Sequence, residues 1–257
     1  MIRFIFILPN LHVKHFNMKN LLLLLFPAFV LFSSCRYIGG ERVRGNGNIT
    51  SEARTVTGFT GVKSYGSFDV YVSSGPQQSV KIEGEENLLP YIETKLEGNI
   101  LKIDTKEGYW LRPRREMKIY VTSPSFNIVR LYGSGNIIGE NQIRDPQKIE
   151  LGISGSGDIK VNVNAPLVTA EISGSGNTIL SGEARNFEGE VAGSGDIRAM
   201  DLKTEETKIE IAGSGNAGVT ASQKLNVSVA GSGDVKYRGS PQVSSNIAGS
   251  GSVTKVD

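Results

Sequence analysis

One short motif dominates the second half of the 257-residue chain: Gly-Ser-Gly followed by Asn, Asp or Ser. Its seven copies start 22, 19, 19, 20, 18 and 18 residues apart. A fixed period of this size indicates stacked supersecondary units, and it is too short for a helix and two strands. It fits three short strands joined by three corners, which is one turn of a parallel β-solenoid. The copies begin at Gly133, Gly155, Gly174, Gly193, Gly213, Gly231 and Gly249.

The residues around the motif alternate between apolar and polar side chains. From Leu131 to Ile137 every second residue is apolar or glycine, and the alternation continues between copies, as in Leu225–Val229. A period of two is typical of half-buried strands. We therefore predict an all-β fold, a parallel β-helix with about 19 residues per coil in the C-terminal half and a less regular N-terminal half. Segments 68–72, 79–83, 100–104 and 117–121 show the same alternation.

Two explanations fit the two glycines of each copy. Either both face inward, so that no Cβ obstructs a bend or a close approach between coils, or one adopts a positive φ in a bulge. In both cases the serines form one column and the residues after the second glycine form another. We take these columns as a candidate ladder face, consisting of Ser134, Asn136, Ser156, Asp158, Ser175, Asn177, Ser194, Asp196, Ser214, Asn216, Ser232 and Asp234.

Amides and carboxylates alternate along the second of these columns. Carboxylates one coil apart would repel each other, whereas interposed amides can hydrogen-bond and hold like charges about 9.6 Å apart, near a Debye length. This explains the alternation by the stability of the stack. Two functional alternatives stay open: calcium binding, although the period is far longer than that of the nonapeptide calcium repeats, and contact with an extended polymer. We assign no metal and no cofactor.

The N-terminus has the pattern of an export leader, residues 1–34. It contains three basic and no acidic residues, and an apolar run from Leu21 to Phe32 that is short for a membrane span. The basic residue expected before such a run is Lys19, which directly follows Met18. We therefore expect Met18 to be the true start and residues 1–17 to be an upstream misannotation.

The only cysteine of the chain, Cys35, ends this leader. Ser33-Ser34-Cys35 resembles a bacterial lipobox, in which the cysteine is acylated and becomes the new N-terminus. Phe32 stands where leucine is usual, so the alternative is an ordinary signal peptide followed by a free thiol. We predict lipidation of Cys35, and a glycine-rich tether over residues 35–55 that leads to a folded domain over residues 56–257.

Charge and histidine content exclude several classes of function. Without the leader the chain has 25 basic and 26 acidic residues, which gives no field to attract nucleic acid. Both histidines, His12 and His15, lie in the leader, so Ser-His-Asp triads, Cys-His nucleophiles and histidine-bearing metal sites are excluded. Acids such as Asp69 and Asp104 have no partner at a spacing that indicates a glycosidase. We predict no catalysis.

The first half carries residues that, together with the Gly-Ser-Gly array, resemble a known family. Gly66–Val72, Leu101–Ile103 and Ile119–Thr122 match the pattern of the head GIN domain, also called DUF2807, a family of suspected autotransporter adhesins. The resemblance covers residues 56–257. It implies a right-handed, single-stranded β-helix and an envelope lipoprotein of Bacteroidota. It implies no catalytic residue, ligand or cofactor.

One segment of the first half combines aromatic and basic side chains. The candidate binding residues there are Tyr109, Trp110, Arg112, Arg114 and Arg115. Such a loop could stack a sugar or bind anionic lipid or polysaccharide. The alternative is an exposed hairpin whose aromatic side chains rest on the flank of the solenoid.

Together these features predict a lipid-anchored cell-envelope module that binds without catalysis. The alternative is a polysaccharide-processing enzyme, a glycosidase or lyase, on the same β-helix. We expect an outer-membrane lipoprotein on the periplasmic or cell-surface face, with the membrane and a glycan or another envelope component as partners. The final coil, Val243–Val256, leaves an unpaired edge through which the protein could self-associate.

Overall fold

The computed structural model describes residues 40–257, so the predicted leader and Cys35 lie outside the described residues. Among residues 40–257, a 3-10 turn at Leu89–Tyr91 interrupts an otherwise all-β fold. The strands of the first half are β1 Glu41–Arg44, β2 Ile49–Arg54, β3 Gly61–Gly66, β4 Asp69–Ser74, β5 Ser79–Glu85, β6 Ile92–Glu97, β7 Ile100–Thr105, β8 Tyr109–Arg112, β9 Lys118–Ser123 and β10 Ile128–Gly133. Those of the second half are β11 Asn136–Arg144, β12 Lys148–Gly155, β13 Asp158–Gly174, β14 Thr178–Gly193, β15 Ile197–Gly213, β16 Ala217–Gly231, β17 Asp234–Arg238, β18 Gln242–Gly249 and β19 Ser252–Lys255.

The second half is a stack of parallel coils. β13 to β16 each run through most of a coil over 15 to 17 residues, and each pairs in parallel with the next. The corners lie in register, because Gly155 pairs with Gly174 and Gly174 with Gly193. The predicted parallel β-solenoid with one circuit per repeat is confirmed.

Each predicted coil of three short strands is built from one long strand that bends at its corners. In β13 the burial alternation shifts by one residue between Ala165 and Val168, and in β15 it shifts after Ala199 and again after Thr204, so the chain turns at these points. The Gly-Ser-Gly corner ends the strand, because its first glycine takes a φ that strand residues do not adopt. Small differences in coil length are absorbed by register shifts, for example between Ala199 and Lys203 of β15.

The first coil of the stack comes from residues earlier than the repeat. β3 pairs in parallel with β10, and β4 pairs in parallel with β11, so residues 61–74 lie one coil before residues 128–144. The chain between them turns back and covers this end of the stack with antiparallel pairs, β5 with β9 and β6 with β7. At this end of the stack β9 pairs with β4 on one side and with β5 on the other, so its edge is not free.

The predicted tether over residues 35–55 needs correction in its described part. β1 pairs in parallel with β8, and β2 pairs antiparallel with β5. Both strands find partners more than 25 residues away in the chain, which glycine-rich composition does not indicate. From Glu41 onward the segment is therefore folded onto the domain.

The core is a column of aliphatic side chains inside the coils. The residue two positions before each Gly-Ser-Gly is buried in the first six copies, and each such Val, Ile or Leu side chain contributes about 1.5–3 kcal/mol by burial. Phenylalanine side chains fill part of the core in the first half of the chain: Phe59, Phe68 and Phe126 are fully or almost fully buried. The aliphatic column consists of Leu131, Ile153, Ile172, Val191, Ile211 and Val229.

The other end of the stack is open. Every residue of β18 is exposed, and the side chains of Val243 and Ile247, which continue the core columns, are each 38% exposed. β18 pairs with β16, and β19 with β17, on one side only among the described residues. Within residues 40–257 the structure contains no helix with the length and apolar character needed to cross a membrane.

Candidate functional site

The Gly-Ser-Gly corners need both glycines, for two different reasons. The first glycine of every copy has a φ between +131° and +140°, and a Cβ on it would lie 2.0–2.3 Å from a glycine carbonyl oxygen one coil earlier. The second glycine of every copy needs the space, because a Cβ there would lie 1.8–2.2 Å from the carbonyl oxygen of the preceding corner. Both sequence-based explanations therefore hold: close approach between coils applies to both glycines, and a positive φ applies to the first.

The serines between the glycines form the predicted column. Each serine donates its backbone N–H to a carbonyl oxygen of the first glycine one coil earlier, at 2.9–3.0 Å. The side chains point outward and are exposed, so the corners present a line of hydroxyl groups. These serines are Ser134, Ser156, Ser175, Ser194, Ser214, Ser232 and Ser250.

The second column is a hydrogen-bonded ladder of alternating carboxylates and amides. Each Asn donates its side-chain amide to Oδ1 of the Asp one coil earlier, at 2.8–3.1 Å. Each Asp of the repeat donates its backbone N–H to Oδ1 of the Asn one coil earlier, at 3.0–3.3 Å. Every carboxylate is followed one coil later by a side chain that donates to it, an amide in three cases and the Ser252 hydroxyl for Asp234, so the ladder forms its hydrogen bonds within the chain. The members are Asp69, Asn136, Asp158, Asn177, Asp196, Asn216, Asp234 and Ser252.

The ladder begins earlier than the sequence predicts. Gly66 pairs with Gly133 and Asp69 pairs with Asn136, so Gly66-Ser67-Phe68-Asp69 is an eighth corner. Phe68 replaces the second glycine there, and the pairing of β3 with β7 beneath it ends at Ser64. The Gly-Ser-x-Asp spacing followed by Val70 was the signal that could have identified this corner.

A shallow groove runs beside the serine column near its first coils. Its volume is about 400 Å³, and small side chains such as Ser154 and Ser173 form its floor. The ring of Tyr132 stands at one end and stacks on Tyr65 with 4.6 Å between ring centroids. Arg130 lies in the groove, with a guanidinium nitrogen 3.1 Å from a carboxylate oxygen of Glu171. The sequence analysis did not identify this groove, because its residues come from different coils.

The predicted arginine-aromatic segment is not a hairpin. Tyr109–Arg112 is β8, whose partner is the parallel strand β1 from the N-terminus. Trp110 is 56% exposed, and Arg112, Arg114 and Arg115 are also exposed. Among the predicted binding residues Tyr109 differs from the others, because its ring packs against that of Tyr91 with the ring centroids 4.5 Å apart.

Pairing with β1 adds two arginines that the sequence analysis missed. Arg42 lies opposite Trp110, and Arg44 lies opposite Arg112. The residues between them, Val43 and Leu111, are partly buried against the core. We call the exposed set Arg42, Arg44, Trp110, Arg112, Arg114 and Arg115 the arginine ribbon.

A buried carboxylate holds the end of the arginine ribbon. Glu85 is fully buried, and it accepts backbone N–H groups from Arg114 at 2.7 Å and from Gly47 at 2.5 Å. Burial alone would raise the pKa of Glu85, but these N–H donors and the nearby Arg114 guanidinium outweigh it, so the pKa is lowered. Gly45 packs so closely on the carboxylate that a Cβ there would lie 2.0 Å from it.

The carboxyl groups do not favour glycosidase chemistry. A glycosidase needs one carboxylic acid whose pKa is raised, so that it can protonate the leaving group. The side-chain amine of Lys95 lowers the pKa of Glu93, and that of Lys148 lowers the pKa of Glu150. Asp104 forms an ion pair with Lys102 at 3.5 Å. Among residues 40–257 no cluster of three or more acidic, Cys or His side chains could hold a metal ion.

The comparisons with known proteins agree with this architecture. A putative adhesin from Bacteroides fragilis NCTC 9343 superimposes with a TM-score of 0.79 at 22% identity, covering 83% of this chain and 100% of its own. A "putative lipid binding protein" from Parabacteroides distasonis ATCC 8503 gives a TM-score of 0.71 at 27% identity, covering 84% and 100%. A "putative adhesin" from Parabacteroides merdae ATCC 43184 gives 0.67 at 23% identity, covering 85% and 100%.

No curated protein matches the chain. The profile of the family described as "Putative auto-transporter adhesin, head GIN domain" matches residues 58–241, which is most of the solenoid. The matched range takes in the first coil, the antiparallel cap and six of the seven Gly-Ser-Gly corners. On the stacked corners and on this match, the chain belongs to the head GIN domain family of adhesin-like proteins.

Proposed function

We propose that the protein is a lipid-anchored cell-envelope module that binds a glycan without catalysis. The observation that carries the proposal is the exposed serine column with the groove beside it, a polar surface that repeats with every coil. Its hydroxyl groups recur at the spacing of stacked strands, about 4.8 Å, which suits an extended polymer with repeated hydroxyl groups. The family's adhesin description supports the same class of function.

The groove supplies features that sugars require. Tyr132 offers a ring edge and face at one end, and Arg130 with Glu171 offers charged hydrogen-bonding groups. Ser154, Ser173 and Ala192 line the groove with short side chains, whereas the side chain of Arg130 packs over Gly152. Binding by such a surface needs no metal and no acid with a raised pKa, and the pKa values of Glu85, Glu93 and Glu150 are lowered.

The binding experiment uses envelope and host polysaccharides with the intact protein. Replacing Ser175→Tyr and Ser194→Tyr together fills the serine column without touching the core, because both side chains are exposed. We expect at least about tenfold weaker glycan binding, equivalent to about 1.4 kcal/mol. The matched control is Glu183→Tyr with Lys203→Tyr, two exposed positions that also lie opposite each other on adjacent coils and whose replacement leaves the net charge unchanged. Unchanged binding in the double variant would refute the column as the contact surface.

The same polysaccharide panel separates binding from catalysis. A binding module leaves the polymers intact, whereas a glycosidase releases reducing ends and a lyase releases unsaturated products. The appearance of either product would replace our proposal with the enzyme alternative.

The lipid anchor at Cys35 belongs to this proposal. The supporting observations are the lipobox-like Ser33-Ser34-Cys35 and the position of the only cysteine at the end of the apolar run. We propose an outer-membrane location, on the periplasmic or cell-surface face. Intact mass measured on protein from the membrane fraction tests the anchor: we expect a mature chain that begins at an acylated Cys35, and any other N-terminus contradicts it.

A further inference from the structure

The paired strands β1 and β8 present Arg42, Arg44, Trp110 and Arg112 on one face. In a parallel pair, residues directly opposite each other project to the same side, and alternate residues project to the other side. Arg42 therefore stands beside Trp110, and Arg44 beside Arg112, while Val43 and Leu111 face the core. Arg114 and Arg115 follow directly and are also exposed.

In the described part of the chain, the guanidinium groups of the ribbon form no salt bridges with acids, although Arg114 lies close enough to Glu85 to act on its carboxylate. Within residues 40–257, none of the five guanidinium groups lies within salt-bridge distance of a carboxylate, whereas Arg54, Arg130 and Arg198 elsewhere each do. Segments 40–44 and 106–116 together hold six basic and three acidic residues. The described chain as a whole holds 24 basic and 26 acidic residues, so the ribbon is a positive patch on a slightly negative protein.

Hydrogen bonds and packing contacts hold the arginine ribbon against the domain. Glu85 accepts the backbone N–H groups of Gly47, at the end of the β1 segment, and of Arg114, after β8. Tyr109 packs on Tyr91, and Gly40 packs closely on the ring of Trp110. A preformed patch loses little conformational entropy when it binds an anionic surface.

The arginine ribbon begins a few residues after Cys35, and this closeness indicates that its partner is the membrane. Only five peptide units separate Cys35 from Gly40, which at full extension span about 18 Å. We propose that the arginine ribbon is a membrane-contact surface that binds the phosphate groups of anionic lipids and sets the orientation of the solenoid on the membrane. This inference rests on the proposed anchor at Cys35, because the anchor is what keeps the ribbon near the bilayer.

The chemistry of the side chains fits a lipid surface. Guanidinium groups bind phosphate oxygens in pairs, and tryptophan side chains concentrate at the level of lipid headgroups. Membrane attachment by one lipid signal becomes stable when a basic patch is added as a second. The ribbon combines the basic patch and the exposed Trp110 in one place.

Trp110 is the only tryptophan, so its fluorescence reports on the ribbon directly. The full protein, purified from membranes, is placed in vesicles of phosphatidylcholine alone or with phosphatidylglycerol, each containing lipids brominated near the headgroup. We expect blue-shifted emission and at least about threefold stronger quenching in the anionic vesicles, reversed by raised salt. Equal spectra in both vesicles would overturn the inference.

A triple variant tests the arginines, and a second one controls for net charge. Arg42→Gln, Arg44→Gln and Arg112→Gln should reduce quenching to the level of neutral vesicles. The control, Arg185→Gln, Arg198→Gln and Lys203→Gln, removes the same charge from side chains that are 60–79% exposed on the solenoid flank, and should leave quenching unchanged. Equal loss in both triple variants would show attraction by net charge alone, and would overturn the inference.

The experiments distinguish failure of the lipid-anchor proposal from failure of the arginine-ribbon proposal. Intact mass decides whether Cys35 is acylated. If it is acylated and Trp110 does not respond to anionic lipid, the anchor stands and the ribbon proposal falls. If Cys35 is not acylated, the anchor proposal falls, and partitioning of the same protein into anionic rather than neutral vesicles, by at least about tenfold, still decides the ribbon.

Discussion

At the scale of single residues, the repeat is explained by what each position must do. The first glycine supplies a positive φ, the second supplies space for the preceding corner, and the serine between them faces solvent. The fourth position supplies alternating donors and acceptors to the ladder. Each of these roles therefore predicts a different loss of stability when the residue is substituted.

Gly195→Ala should be severely destabilising, whereas Ser194→Ala should be nearly neutral. A Cβ on Gly195 would lie 2.1 Å from the carbonyl oxygen of Gly176, which is backbone and cannot move aside without shifting a coil. We expect a loss of at least about 2 kcal/mol for the glycine variant and a change within about 0.5 kcal/mol for the serine variant. Urea unfolding measures both, and equal stability of the two variants would contradict the role assigned to the second glycine.

Asn177→Asp should make stability depend on pH. The change places three carboxylates in consecutive coils and removes the side-chain donor to Asp158, which is 2.9 Å away. We expect a loss of about 2 kcal/mol at neutral pH that shrinks in acid, because protonation relieves the repulsion and restores a donor. Asn177→Ser, which copies the residue at Ser252, adds no charge, so its loss should be smaller and should not shrink in acid. A loss in Asn177→Asp that is independent of pH would argue against the ladder.

At the scale of secondary-structure elements, the pairs that cap and flank the solenoid distinguish this chain from a bare repeat. Glu85, at the end of β5, ties β1 and the chain after β8 to the cap through backbone hydrogen bonds. The carboxylate is therefore the link between the N-terminal strand, the arginine ribbon and the core.

Acid should release the β1–β8 pair before the stack unfolds. The pKa of Glu85 is lowered in the folded protein, so its stabilising effect is present at neutral pH and is lost as pH falls through the folded-state pKa. Hydrogen exchange should show faster exchange of β1 and β8 amides in acid and, at neutral pH, in Glu85→Gln. Glu83→Gln, on the same strand with a 37% exposed side chain, is the control and should not change these amides. Unaltered exchange in Glu85→Gln would contradict the clamp.

The elements that the sequence predicts are those whose pattern is local or repeated. The alternation in β4, β5, β7 and β9 and the period of the corners were visible without coordinates, and the structure confirms them. The pairing of β1 with β8 was not predictable, because it joins segments more than 60 residues apart that share no motif. The groove was missed for a related reason: its side chains meet only when the register between coils is known.

At the scale of the whole molecule, the two ends of the solenoid differ. One end is closed by antiparallel strands, while β18 and β19 leave backbone groups and the side chains of Val243 and Ile247 exposed. Open strand edges favour pairing with another chain. Self-association through this end therefore remains a prediction of the structure.

Sedimentation over a range of concentrations tests that prediction. We expect reversible dimers that Val243→Lys and Ile247→Lys together abolish, because lysine on an edge strand opposes pairing. The control is Lys160→Glu with Lys236→Glu, exposed positions on β13 and β17 rather than on β18. A protein that stays monomeric at all concentrations would contradict the prediction, because its open strand edge would then not pair with a second copy.

The central claim is that each repeat completes one circuit, so that the serines stack at a constant spacing. Distances between spin labels on serine pairs, measured by pulsed electron paramagnetic resonance, test it most directly. Pairs Ser156 with Ser232, Ser134 with Ser232 and Ser134 with Ser250 are four, five and six coils apart. If each repeat completes one circuit, the separations grow by about 4.8 Å per coil, to about 29 Å for the last pair. Separations that do not increase with the number of coils between the labels would contradict that claim.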